Sequence, residues 1–220
     1  MEAFAAELRA AGHTVHVPDL YEGHTFDTLD EGLAYAKMTG FDTLMERGVA
    51  AVEGLGDGLV YAGFSLGVMP AQRLAQTRAG AKGALLFHAC LLVSEFGDAW
   101  PASVPVQVHG MDADPFFADE GDLDAARALA ASTERAELFL YPGKEHLFAD
   151  SSLPSYDQAA ASLLKRRVLD FPAESDSCGQ GVRSYRIRPR KSTTRRLSRL
   201  AAAWSYDRSE ESTNRCSLPG

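Results

Sequence analysis

Five residues in the first third of the chain, Gly63-Phe64-Ser65-Leu66-Gly67, place a serine between two glycines. A short apolar run at 59–62 precedes them and a helix-like stretch follows, so the serine lies on a tight turn from strand to helix. In such a turn the backbone of the serine is strained and its hydroxyl group is exposed. The glycines on either side let neighbouring backbone approach closely. The N–H of Leu66 would open the helix and can donate to an oxyanion. The alternative interpretation is an ordinary glycine-rich turn, but the strand–turn–helix context favours Ser65 as a nucleophile.

A base and an acid for this serine follow later in the chain. His146 lies in a loop after an apolar, strand-like run, and Asp114 follows the run before it. The order serine, acid, histidine is that of α/β-hydrolases. In such a triad the histidine accepts the serine proton, and the acid holds the imidazole in the required tautomer. Singly, His146 could be a surface histidine and Asp114 part of a turn. Together they predict the triad Ser65, Asp114 and His146, with Asp112 as the alternative acid.

The other histidines and the cysteines indicate no metal site. The three cysteines are odd in number and widely spaced, which fits neither a disulfide framework nor a zinc site. His13 and His16 are three residues apart, but they flank the start of a strand-like run, so a metal pair is not expected. His88 and His109 end strand-like runs and are predicted to be structural. The sequence therefore predicts neither a metal nor another cofactor.

The elements that position these residues alternate between strand-like and helix-like segments. Near-continuous apolar strands separated by helices predict an α/β fold, α/β-hydrolase-like, with a mostly parallel sheet and helices on both faces. Sites in such sheets form at the carboxyl ends of the strands, where the three candidate residues fall. The predicted strands are 14–17, 59–62, 84–88, 104–109 and 137–141, and the predicted helices are 2–11, 41–52, 123–131 and 156–171, with one more after Gly67.

A change in composition near Phe171 divides the chain. Residues 172–220 hold ten Lys/Arg and five Asp/Glu, a net of +5, which leaves −13 for the rest of a chain whose net charge is −8. Apolar residues thin out in this basic segment, so it cannot bury enough surface to offset its ordering entropy. We therefore predict a folded domain over 1–171 and a basic, disordered tail over 172–220. A weaker hypothesis makes the basic run 183–191 a nucleic-acid-binding arm.

The bulk properties exclude several classes of protein. Apolar residues make up 45% of the chain, as in ordinary globular proteins. The acidic balance argues against a nucleic-acid or membrane-surface partner for the whole chain. No apolar run approaches the roughly 20 residues that a membrane span needs, and the N-terminus lacks the apolar centre of a signal peptide. We therefore expect a cytoplasmic protein with a small-molecule partner and no membrane contact.

Several stretches of the sequence resemble the dienelactone hydrolase family. They are AAGHTVHVPDLYEG, YAGFSLGV, VPVQVHGMDADPFF, and LYPGKEHLFADSSLPSYDQAA through KRRVLDF, which run through most of residues 1–171. Asp-Pro-Phe-Phe from position 114 and His-Leu-Phe-Ala-Asp-Ser-Ser from position 146 are the more specific markers. The resemblance implies that Ser65, Asp114 and His146 form the triad. It also implies hydrolysis of lactones or small esters through an acyl-enzyme.

The chain departs from the family pattern in three respects. Dienelactone hydrolases proper commonly have a cysteine nucleophile, whereas Ser65 stands here. Family members begin with further strands, and a loop after one of them supplies a second oxyanion donor. This chain starts in the following helix, so we expect a missing strand, an exposed strand edge and weak activity. The family similarity ends near Phe171.

Two functions follow from these residues. The first is a serine hydrolase that cleaves small carboxylic esters or lactones. The alternative is a non-catalytic remnant of an α/β-hydrolase that acts as a binding scaffold.

Overall fold

The computed structural model describes residues 1–171 and the backbone of residues 203–207. The described strands form one sheet in the order β1-β6-β2-β3-β4-β5. The pairs β2–β3, β3–β4 and β4–β5 are parallel, whereas β6 is antiparallel to both β1 and β2. The strands are β1 (Thr14–His16), β2 (Val60–Phe64), β3 (Gly83–Phe87), β4 (Val106–Met111), β5 (Ala136–Tyr141) and β6 (Ala203–Asp207).

Helices cover both faces of this sheet. One apolar cluster joins α1 and α6 to one face, and a second joins α3, α4 and α5 to the other. The prediction of a mostly parallel sheet with helices on both faces is therefore confirmed. The described helices are α1 (Glu2–Ala10), α2 (Leu29–Thr39), α3 (Phe41–Ala50), α4 (Val68–Thr77), α5 (Asp122–Ser132) and α6 (Gln158–Leu169).

The central strands are largely apolar because both of their faces are covered, and β4 adds two buried polar side chains, Gln107 and His109. Every residue of β2, β3 and β4 is buried. In β2 the side chains of Ala62 and Phe64 pack toward α1 and α6, and that of Tyr61 packs toward the opposite layer. The five strands predicted within residues 1–171 are present, each within two residues of its predicted start and end.

Helix α2 was not predicted, although the sequence carries a signal for it. The Thr28 side chain accepts a hydrogen bond from the Glu31 backbone N–H at 3.2 Å, and the Glu31 carboxylate accepts one from the Thr28 N–H, also at 3.2 Å. This reciprocal capping box satisfies two of the N–H groups that a helix start leaves without partners. The helix matters for function because it lies over the carboxyl edge of the sheet.

The strand β6 corrects two expectations about the ends of the chain. It lies within the segment 172–220 that was predicted to be disordered, so that prediction is wrong for residues 203–207. It also fills the place between β1 and β2, where an open strand edge was expected. The physical reason is that a β-strand edge is a row of unpaired N–H and C=O groups, which a further strand can satisfy.

The remaining predictions for residues 172–220 lie outside the described residues. They include the disorder of the rest of the tail, the proposed basic arm at 183–191, and two of the three cysteines. Within the described part of the chain, no helix is long and apolar enough to cross a membrane.

Candidate active site

Ser65 lies on the turn between β2 and α4. Its backbone φ is +50°, in the left-handed region that non-glycine residues rarely adopt. A short 3₁₀ turn, Ser65–Gly67, leads into the helix. A Cβ atom at Gly63 would collide with the carbonyl group of Gly67, so the turn can be this tight only because Gly63 has no side chain. The sequence thus folds here into a strained, glycine-dependent turn that presents the serine at the carboxyl end of β2.

His146 lies within hydrogen-bond distance of both other members of the predicted triad. Its Nε2 is 3.0 Å from Ser65 Oγ, and its Nδ1 is 2.6 Å from Asp114 Oδ2. The histidine side chain is 8% exposed and that of Asp114 is fully buried. The imidazole also packs against the ring of Phe116, with 4.8 Å between ring centroids. The serine hydroxyl can donate to Nε2 when the imidazole carries its proton on Nδ1.

The two candidate acids occupy different positions. Asp114 Oδ1 accepts the backbone N–H of Phe116 at 3.1 Å, which leaves Oδ2 for the histidine. Asp112 is exposed, and its Oδ1 accepts the N–H of Gly143 at 3.1 Å. Asp112 therefore joins the loop after β4 to the loop after β5, whereas Asp114 contacts His146 directly.

Leu66 places its backbone at the start of the helical segment that follows Ser65. The first N–H groups of such a segment have no carbonyl partner within it. Leu66 and Ser65 line the same cavity. The N–H of Leu66 and the positive end of the α4 dipole are thus suited to stabilise negative charge beside the serine hydroxyl.

His88 and His109 are both buried at the carboxyl side of the sheet. Burial, aided by Arg167, lowers the pKa of His109 to about 3, and its ring nitrogens lie 2.9 Å from the Tyr141 hydroxyl and 3.2 Å from Gln107 Oε1. His88 has a φ of +63°, and among the described residues neither of its ring nitrogens has a hydrogen-bond partner. Burial and the neighbouring His146 hold the pKa of His88 well below its usual value, so the ring is neutral.

Two cavities meet at His146. The smaller, of about 230 Å³, contains Ser65 and Leu66 and extends beneath α2. The larger, of about 660 Å³, lies on the other side of the histidine, where the left-handed Leu147 (φ +59°) contributes to its wall. Leu29 and Phe116 contribute to both cavities. Ser65 and His146 therefore border a cleft with a small and a large compartment, and the buried Asp114 lies behind His146.

Cys90 is a second candidate nucleophile, placed between Ala89 and Leu91 of the small cavity wall. Its thiol is buried, and burial together with the Asp122 carboxylate raises the pKa of the thiol to about 12. A thiol needs to ionise to attack, so this cysteine is unreactive at neutral pH. His13 and His16 flank the start of β1, with His16 as its last residue. The described residues contain no group of three or more side chains placed to hold a metal ion.

A sequence profile of the dienelactone hydrolase family matches residues 1–175 of this chain. The chain belongs to the dienelactone hydrolase family. Membership points to a hydrolase with a small-molecule substrate, and it confirms the resemblance seen in the sequence. No curated protein matches the sequence.

Three solved structures match this member of the dienelactone hydrolase family at low sequence identity. A candidate dienelactone hydrolase from Klebsiella pneumoniae subsp. pneumoniae MGH 78578 is 21% identical, with a TM-score of 0.50 over 70% of this chain and 69% of that chain. Thermogutta terrifontis esterase 2, in its apo form, is 17% identical, with a TM-score of 0.41 over 60% and 62%. A dienelactone hydrolase-like promiscuous phosphotriesterase from metagenomic libraries is 21% identical, with a TM-score of 0.45 over 65% of each chain. The chain thus spans about two thirds of these proteins, and the first of them shows the shared fold.

Sequence reasoning missed several residues that line the small cavity around Ser65. Glu120 and Asp122 contribute the carboxylates, and α2 supplies Gly32 and Leu33. The capping box at Thr28 was the available signal for α2. No local pattern marks the two acids, because the other residues of the cavity wall come from distant parts of the chain.

Proposed function

We propose that the chain is a serine hydrolase that cleaves small carboxylic esters or lactones through an acyl-enzyme. The observation that carries this proposal is the continuous hydrogen-bonded series from Ser65 Oγ to His146 Nε2, at 3.0 Å, and from His146 Nδ1 to Asp114 Oδ2, at 2.6 Å. A serine on a strained turn, a histidine and a buried carboxylate are the groups that nucleophilic acyl transfer requires.

The first half of the reaction forms the acyl-enzyme. Ser65 Oγ attacks the carbonyl carbon of the ester while His146 Nε2 takes the hydroxyl proton, and the carbonyl oxygen becomes an oxyanion beside the N–H of Leu66. The bond to the leaving oxygen then breaks, and His146 gives that oxygen the proton. Asp114 keeps the imidazole in the tautomer that can accept from serine, and its negative charge stabilises the imidazolium between these steps.

The second half releases the acid. A water molecule loses a proton to His146 as it attacks the acyl carbon, and the bond to Ser65 Oγ breaks as the serine recovers its proton. The sum is one ester and one water converted to one acid and one alcohol. No other co-reactant is needed.

Labelling and turnover together test this proposal. A fluorophosphonate should add to the peptide that contains Ser65, and hydrolysis of a short-chain aryl ester should be lost in Ser65→Ala. Ser103→Ala is the matched control, because Ser103 is exposed and precedes β4 at the opposite edge of the sheet. The binding-scaffold alternative instead requires a folded protein with no labelling and no turnover above the Ser65→Ala background.

A further inference from the structure

The small cavity beside Ser65 carries a strongly one-sided set of charges. Two ionisable side chains line it besides His88, His146 and Tyr21, namely Glu120 and Asp122. In the described part of the chain no Lys or Arg lines it. His88 adds no positive charge because its ring is neutral. Any group that enters this compartment therefore meets two carboxylates and no opposing cation.

The roles of Ser65 and His146 in the proposed reaction decide which part of an ester enters this compartment. Ser65 and Leu66 line the small cavity alone, whereas His146 lines both compartments. The leaving oxygen must take its proton from His146, so the alcohol part of the substrate lies on the histidine side, toward the 660 Å³ cavity. Attack by Ser65 Oγ would bring the acyl carbon to the serine, and the acyl chain would then extend into the 230 Å³ cavity that Ser65 lines.

The size of the small cavity limits the acyl chain. Pockets for drug-sized ligands measure roughly 300–1,000 Å³. The larger cavity falls within this range and the smaller one, at about 230 Å³, falls below it. Its remaining lining is mainly apolar, including Leu33, Met69 and Leu91, which suits a short hydrocarbon chain.

The two acids differ in how firmly they are held. Asp122 Oδ2 accepts the backbone N–H of Cys90 at 3.2 Å, so this carboxylate has a fixed position at the start of α5. Burial raises the pKa of Asp122 to about 6, so it is mostly ionised at pH 7.5. Glu120 is exposed at the edge of the cavity, where solvent screens its charge in part.

Resting on the proposed function, we infer that the small cavity is the acyl subsite and that it selects short acyl groups without a negative charge. Like charges brought together in a partly enclosed site repel strongly enough to exclude a partner. The substrates are accordingly esters or lactones whose acyl chain ends in an uncharged group. Glu120 and Asp122 are the specificity-determining residues.

Four matched esters separate the charge effect from other effects. Ethyl butyrate has a neutral acyl chain, monoethyl succinate carries a carboxylate at the end of the chain, and ethyl 3-aminopropanoate carries an ammonium there. Butyryl glycolate carries its carboxylate on the alcohol side instead. Released acid is quantified at pH 7.5, and kcat/KM is compared among the four esters.

We expect monoethyl succinate to have a kcat/KM at least about ten-fold below that of ethyl butyrate, with the ammonium ester well above the carboxylate ester. Glu120→Gln and Asp122→Asn should each raise the succinate-to-butyrate ratio about three-fold, the modest size reflecting solvent screening. The same variants should leave the ratio of butyryl glycolate to ethyl butyrate unchanged. Glu134→Gln is the control, since this exposed acid precedes β5 at the opposite edge of the sheet.

Three results would overturn the inference. They are equal turnover of succinate and butyrate esters, equal rejection of the ammonium and carboxylate esters, or the same change of ratio in Glu134→Gln. Equal rejection of both charges would mean that desolvation alone, and not the two acids, excludes them.

Binding of non-hydrolysable amides keeps this test separate from catalysis. N-ethylbutanamide should bind the protein more tightly than N-ethylsuccinamate, as measured by NMR titration. If no ester is turned over but the amides are still discriminated, the proposed function fails and the charge selection stands. If esters are turned over but neither the esters nor the amides are discriminated, the proposed function stands and the charge selection fails.

Discussion

Replacing Asp114 by Asn tests the proposed mechanism most directly. The fully buried carboxylate accepts from His146 Nδ1 at 2.6 Å and from the Phe116 N–H at 3.1 Å. The amide of an asparagine can turn its oxygen toward Phe116 and its NH₂ group toward His146. The imidazole then accepts at Nδ1 and carries its proton on Nε2, so it can no longer accept from Ser65.

The expected loss in kcat/KM is about 10⁴-fold, which is the loss that the wrong histidine tautomer causes in a serine triad. It corresponds to about 5 kcal/mol of transition-state free energy. Unfolding cannot account for such a loss, because the capping oxygen is retained and a buried charge is removed. The free energy of unfolding should change by no more than about 1 kcal/mol.

Asp112→Asn is the matched control for this substitution. Its side chain is exposed and would keep an oxygen for the Gly143 N–H, so kcat/KM should fall less than about three-fold, since surface changes have small effects. Both variants are assayed by aryl-ester hydrolysis and by urea unfolding. A greater loss in Asp112→Asn than in Asp114→Asn would show that Asp114 is not the acid of the triad.

Two further predictions concern stability. Gly63→Ala should lower the free energy of unfolding by about 2–4 kcal/mol in urea titrations, because its Cβ would meet the Gly67 carbonyl. The control is Gly56→Ala, which has open space around it and should change the free energy of unfolding by less than about 0.5 kcal/mol. Equal losses in the two variants would refute the argument. The pKa of His109 is about 3 in the folded protein, whereas that of an ordinary histidine is 6.5. Between pH 3 and 6.5 this histidine therefore binds a proton only in the unfolded chain, so the free energy of unfolding falls as the pH falls. From pH 7.5 to 5 this histidine should account for about 2 kcal/mol of lost stability, which His109→Gln should remove from the measured pH dependence; an unchanged slope would contradict the assignment.

The sequence was sufficient to predict the strands after which Ser65, Asp114 and His146 lie. The short apolar runs marked β2, β3 and β4 because these strands are buried on both faces, so their pattern does not depend on distant residues. The run at 137–141 marked β5 as well, although this edge strand is only partly buried. The glycines around Ser65 marked the turn, because a Cβ at Gly63 has no room there. The order of Ser65, Asp114 and His146 predicted a triad, and their positions after β2, β4 and β5 explain why they meet at one sheet edge.

The features that the sequence did not predict depend on contacts between distant segments. Strand β6 pairs Tyr206 with Val60, which is 206 − 60 = 146 residues earlier, through backbone groups that every residue has. Hydrophobic periodicity carries no information about such a partner. Glu120 and Asp122 likewise look like ordinary exposed acids in the sequence, whereas in the fold they line a cavity together with residues of α2.

Among the described residues, three of the four non-glycine residues in left-handed backbone conformations, Ser65, His88 and Leu147, line the cleft around the proposed triad. Each such conformation costs about 1–3 kcal/mol, so together they draw on a substantial part of the roughly 5–15 kcal/mol by which a domain is stable. Selection for heat tolerance would therefore first favour substitutions that remove the backbone strain at these three positions. A lineage selected for thermal tolerance alone would relax the backbone at the cleft before it altered the core, and catalytic competence would decline while the melting temperature rose.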